Sequence, residues 1–114
     1  MDSPDLLKIK IDEARSKMPE ASRQAVDAVD WKDVIFNMRA EKGYSFTQLD
    51  SLEIETELML CGLIEPEDYP KELATRMEIP RAQADELVEE MNQKVFQKMR
   101  AELVKIMEQE RPLQ

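Results

Sequence analysis

At 114 residues, 42% of them hydrophobic, the chain is long enough for one domain with its own core and too apolar to stay disordered. Its 25 acidic and 16 basic side chains leave a net charge of −9, and residues 43–90 alone carry 13 acidic against 3 basic groups. A middle third of that sign repels nucleic acid and anionic lipid; it is either a solvated face or a surface for a basic protein.

Two glycines and few aromatic or β-branched residues disfavour a sheet, so the expected class is all-α: a compact irregular bundle of four to five helices with a long C-terminal helix, in a single domain over residues 1–114. Ser3 is placed to cap a first helix, with Pro4 at the position where a missing N–H costs nothing. Leu7, Ile11, Ala14 and Met18 mark one face of it, and Pro19 ends it. Residues 1–18 read either as a bundle member or as a docking helix.

Ser22 is the expected start of a short second helix bearing Ala25, Val26 and Val29. Asp30, with Asp33 three residues on, has the spacing of an acidic capping box for a helix carrying Trp31, Val34, Ile35 and Met38, which Gly43 is placed to terminate. The next helix has two alternative caps, Ser45 with Gln48 or Thr47 with Asp50. Its buried side is expected at Leu49, Leu52, Thr56, Met59, Leu60 and Leu63. After a turn-rich link, Asp68 is the expected cap of a short helix with Leu73, Ala74 and Met77, where Pro70 fits because it lies in the first turn.

From Ala84 to Met107 there is neither proline nor glycine, and strong helix formers dominate. The pattern predicts one continuous helix with a stripe of Ala84, Val88, Met91, Val95, Met99, Leu103 and Ile106, acidic at its start and basic further on, as the helix dipole favours. Residues 108–114 are expected to fray. The apolar half from Val95 to Met107 needs cover, from the first helix or from a second copy. A faint internal similarity, Gln48-x-Asp50-x-Leu52-x-x-Glu55 against Gln83-x-Asp85-x-Leu87-x-x-Glu90, recurs at an offset of 35 residues.

Catalytic chemistry finds little footing. The sequence lacks histidine, which removes histidine-assisted nucleophiles and histidine-containing zinc sites, and Gly43 and Gly62 cannot form a phosphate loop. Cys61, the single cysteine, reads as a buried inert thiol in a reducing compartment. Glu53/Glu57 and Asp85/Glu89 lack the converging neighbours of a carboxylate metal site. No catalytic residue, cofactor, metal or small-molecule substrate is therefore expected. No membrane span is expected either, because the longest apolar run, Leu58 to Ile64, is too short. The expected location is cytoplasmic.

Two functional readings follow. The first is a non-enzymatic protein-interaction or structural module, self-associating as a homodimer or docking another protein through Tyr44, Phe46, Glu57 and Tyr69. The second takes residues 70–91 as a helix-turn-helix unit in which Arg81 and Gln83 meet base edges. The carboxylates Asp85, Glu86, Glu89 and Glu90 beside them oppose that second reading.

The runs Arg23-Gln24-Ala25-Val26, Val29-Asp30-Trp31, Leu52-Glu53-x-Glu55-Thr56, Gly62-Leu63-Ile64-Glu65-Pro66-Glu67-Asp68 and Val95-Phe96-x-x-x-Arg100 resemble small uncharacterised acidic helical proteins of candidate-phyla bacteria with reduced genomes. The resemblance covers residues 20–105. It implies a compact bacterial cytoplasmic domain and assigns no functional residue.

Overall fold

The computed structural model describes residues 4–109, and the expected cap Ser3 and most of the expected frayed tail lie outside them. The chain runs α1 (Pro4–Ser16), α2 (Glu20–Asp27), α3 (Trp31–Lys42), α4 (Phe46–Leu60), a 3₁₀ turn (Pro66–Asp68), α5 (Tyr69–Met77), α6 (Arg81–Met91), a π-turn (Asn92–Phe96) and α7 (Gln97–Gln109). The class is all-α, as the composition indicates. The C-terminal rod is continuous through the π-turn and forms the spine of a bundle 53 × 31 × 23 Å across.

The helix boundaries follow local chemistry. At the start of α4 the Ser45 hydroxyl accepts from the Gln48 amide at 3.1 Å, while the Gln48 side chain accepts from the Ser45 amide at 2.9 Å, which selects Ser45 over Thr47 as the cap. Gly43 ends α3 in the left-handed region at φ 75°, a conformation that costs glycine nothing. Asp30 and Asp68 occupy cap positions, yet neither side chain makes a capping hydrogen bond. The second helix starts at Glu20, before the expected Ser22, because Pro19 takes the cap position and its carbonyl accepts from the Arg23 amide at 3.1 Å.

Around one core, Ile35, Met38, Leu52, Leu73, Met77, Leu87, Met91 and Val95 are fully buried. Trp31 is buried with them at the start of α3. Leu63, expected on the buried side of α4, lies instead beyond the helix end and is exposed, since α4 stops at Leu60 and Gly62 turns the chain at φ 84°.

The 35-residue offset has a structural counterpart in two helical hairpins, α3–α4 and α5–α6. Gly43 and Glu78 are both left-handed helix caps, Phe46 and Arg81 both open the second helix, and Leu52 and Leu87 both fill the core. The hairpins also lend each other polar partners reciprocally. Lys42 of the first reaches Glu90 of the second at 2.7 Å, and Arg76 of the second reaches Glu55 of the first at 3.5 Å. Likewise the Gln48 side chain donates to the Met77 carbonyl at 3.1 Å, and that of Gln83 donates to the Tyr44 hydroxyl at 3.3 Å. Glu78 holds the left-handed position without being glycine, at a cost on the order of 1 kcal/mol.

The π-turn has a sequence cause. Met91, Val95, Met99 and Leu103 recur at every fourth residue, and on an ideal α-helix four residues overshoot a full circle by about 40°, so such a stripe winds off its neighbours. One wider turn takes up part of that drift and keeps Met91, Val95 and Met99 buried in line. The cover for the apolar half beyond it comes from α2, which packs along α7, rather than from α1. That cover is incomplete, because Val104 and Met107 remain more than half exposed.

The first helix sits at the edge of the bundle. Ile11 is buried, Met18 packs on the core, and the Arg15 guanidinium donates to the Asp27 carboxylate of α2. Ile9 on its outer side is exposed.

Candidate functional site

A groove of about 680 Å³ lies between α2, the C-terminal end of α4 and the rod from α6 through α7. Its walls are chiefly apolar, with Met18, Met59, Leu60, Phe96, Met99 and Leu103 as the main contributors. Three of these are methionines, whose unbranched, polarizable side chains adapt to differently shaped partners. Tyr69 closes the floor, with its ring edge-on to Phe96 at a centroid distance of 5.9 Å.

Polar groups are confined to a few places in the groove. The Arg100 guanidinium of α7 reaches back across the π-turn to donate to the Asn92 side-chain oxygen at 2.8 Å, and Glu89 and Ser22 also line the groove. Widening the helix at Asn92–Phe96 alters the angular placement of Phe96, Met99 and Leu103 relative to α6. Cys61 also lines the groove. Burial pushes its thiol above the ordinary range, and its sulfur donates weakly to the Leu58 carbonyl at 3.6 Å, so it is a poor nucleophile.

The residues singled out from the sequence do not converge on one surface. Tyr69 is 1% exposed, and its hydroxyl pairs with the Thr56 hydroxyl at 2.6 Å, while the Thr56 hydroxyl donates to the Leu52 carbonyl. Tyr44 is buried at 6% exposure with its hydroxyl held by Gln83. Neither tyrosine is a surface contact in this conformation. Both were placed on turns by the sequence, but the apolar rings pack inward because each hydroxyl finds an internal partner.

Phe46 is 55% exposed at the start of α4, with the Arg39 guanidinium stacked on its ring at 3.9 Å. Phe36 is exposed near it, and both Phe36 and Arg39 border a cleft of about 500 Å³. Glu57 is half-buried about three turns further along α4, where it lines a cleft with Arg15 and Trp31. Arg81 and Gln83 are both engaged within the chain: the Arg81 guanidinium donates to Asp85 at 3.0 Å, and Gln83 donates to Tyr44.

The groove residues were visible in the sequence only as core. Met59, Leu60, Phe96, Met99 and Leu103 carry the spacing of a buried stripe, and the half-covered state of that stripe depends on how α2 crosses α7. The one available signal was the density of methionine, eight in the chain.

Glu55 is an unusual element of the core. It is 4% exposed, and burial raises its carboxyl above the ordinary value of 4.5, with Arg76 only partly opposing because that guanidinium is itself largely in water. The folded state therefore holds the proton more tightly than the unfolded chain, so stability contributed by Glu55 is greatest at low pH and falls as pH rises from about 4.5 through the raised value. Glu55→Gln is expected to flatten that decline. Urea midpoints measured from pH 4 to pH 8 check it, and a variant less stable than the parent at pH 8 would refute the assignment.

No protein-family model, curated protein or solved structure matches the chain. Among the described residues, no helix is long and apolar enough to cross a membrane.

Proposed function

We propose that the protein is a small non-enzymatic interaction module whose docking surface is the methionine-lined groove between α2 and the α6–α7 rod. The observation that carries this reading is an open apolar trough with the partly buried Met18 and Met59 in its walls and the buried Met99 of the core beneath them. A surface of this kind stays favourable to bury, and its flexible side chains can repack around a ligand. The π-turn supports the reading, because such turns recur at functional positions and this one holds both Asn92 and Phe96 at the groove.

A free thiol at Cys61 accords with a reducing compartment, and cytoplasmic residence is part of the proposal. The nucleic-acid reading has less support. A helix-turn-helix outline is present in α5 and α6, yet the two side chains it would need are already bonded inside the chain, and Glu86 and Glu89 are exposed beside them.

Selection of a displayed library of helical peptides against the immobilised protein tests the proposal. Enriched peptides are expected to share apolar residues at i, i+3 or i+4, and i+7, and to compete with one another for a single site. Enrichment without that spacing, or no enrichment, would count against it.

A further inference from the structure

The core closes without α1. The contiguous cluster of buried side chains draws on α2 through α7 and the π-turn and takes none from α1, while Met18, in the turn that follows α1, packs against it as a partly buried neighbour. Among residues 5–16 only Ile11 is buried. The Arg15–Asp27 ion pair that ties α1 to α2 is well exposed at both partners, where such a pair holds weakly. A segment anchored by one apolar side chain and an exposed ion pair belongs to the low-stability end of a domain, able to open while the rest stays folded.

The attachment of α1 is a pivot. Its last turn is closed by the Lys17 amide on the Ala14 carbonyl and the Met18 amide on the Arg15 carbonyl, at 3.1 Å each. Pro19, at the cap of α2, then holds Met18 away from helical geometry. The two helices therefore cannot merge into one rod, and rotation within residues 17–19 moves α1 as a unit.

What α1 covers is a continuation of the groove. Ile11 and Arg15 close over Val26, Trp31, Leu60 and Cys61 and leave a void of about 10 Å³, too small for a further side chain. Met18, Val26, Leu60 and Cys61 also line the groove, so one surface runs from the groove under α1 to Trp31. Resting on the groove reading above, we infer that α1 is a hinged lid that hides the Trp31 part of this surface, and that a helical partner reaches full affinity only with the lid open.

A ligand that needs a partly populated form binds with its affinity reduced by the fraction in that form, so opening the lid tightens binding. Ile11→Asp opens it, because a carboxylate at the anchor position is desolvated only while α1 is docked. Trp31 is the single tryptophan of the chain, and its fluorescence reports the lid directly. In Ile11→Asp its emission is expected to shift to the red and its quenching by acrylamide to rise, while the methyl signals of Met38 and Met77 in the core stay in place. A helical peptide selected against the parent protein is expected to bind this variant about tenfold tighter. Ile9→Asp, on the exposed outer side of α1, is expected to match the parent in every reading.

Hydrogen exchange on the unaltered protein tests the lid without a substitution. The amides of α1 are expected to exchange together and about a hundredfold or more faster than those of Leu52 and Leu73. Exchange in step with Leu52 and Leu73 would overturn the lid, as would displaced Met38 and Met77 signals in Ile11→Asp, since α1 would then belong to the core. An uncovered Trp31 with unchanged peptide affinity would overturn the coupling of lid to groove and leave the groove reading intact. Failure to select any helical peptide would remove the groove reading and the coupling with it, while exchange and fluorescence still decide the lid.

Discussion

Tyr69→Ala is expected to destabilise the fold by about 3–5 kcal/mol, a large share of what a domain of this size has to lose. The ring is almost completely buried where α4, α5 and the π-turn meet, so truncation leaves a cavity bounded by Phe96 and Thr56 that helices cannot easily close. Tyr69→Phe separates packing from hydrogen bonding. It keeps the ring and removes one hydroxyl, and the Thr56 hydroxyl retains the Leu52 carbonyl as its acceptor, so the expected cost is only about 0.5–1.5 kcal/mol. Urea denaturation of both variants measures the difference. Equal losses would mean that the hydroxyl pair, not the ring, holds this corner.

Leu103→Glu is expected to weaken partner binding by about a hundredfold while leaving the domain folded. Leu103 is only half-buried, on the groove wall one turn beyond Met99, so a carboxylate there reaches water in the free protein. Under a docked helix the same carboxylate would be desolvated without a partner, a cost of about 2.7 kcal/mol or more, which is the stated factor. Val104→Glu is the matched control, because Val104 is exposed and is not among the groove-lining residues. Affinity for a helix selected against the parent protein distinguishes the two. Equal affinity of both variants would place binding elsewhere.

Much of the architecture was legible because helix signals are local. The proline at position 19, the left-handed Gly43, the Ser45–Gln48 box and the unbroken run from Ala84 each act within a few residues, and each marks an element where one forms. The π-turn was encoded too, in the 4-4-4 spacing of Met91, Val95, Met99 and Leu103, but a period of about 3.6 residues hides an extra residue unless the drift is summed along the stripe.

The proposed docking surface was not legible, and Tyr44 and Tyr69 show why. Each carries a hydroxyl and lies at or beside a turn, so exposure was a fair expectation, but Gln83 and Thr56 supply partners from 39 and 13 residues away. Only tertiary packing brings those groups together. The groove is likewise a product of two facts of packing: α2 lies along α7, and α4 ends at Leu60, with Met59 and Phe96 left partly buried. Phe46 is the one aromatic contact expected from the sequence that stands outside the core, and its ring carries the Arg39 guanidinium rather than lining the groove.

The methionines make the central claim directly measurable, since their methyl groups are spread over every relevant environment. Met18, Met59 and Met99 line the groove, Met38 and Met77 lie in the core, and Met107 is exposed near the end of α7. In a carbon-13 methyl spectrum titrated with an amphipathic helical peptide selected against the protein, the signals of Met18, Met59 and Met99 are predicted to move together and saturate, while those of Met38 and Met77 stay in place. Saturable shifts that bypass those three methyls, or that centre on Met107, would contradict the account.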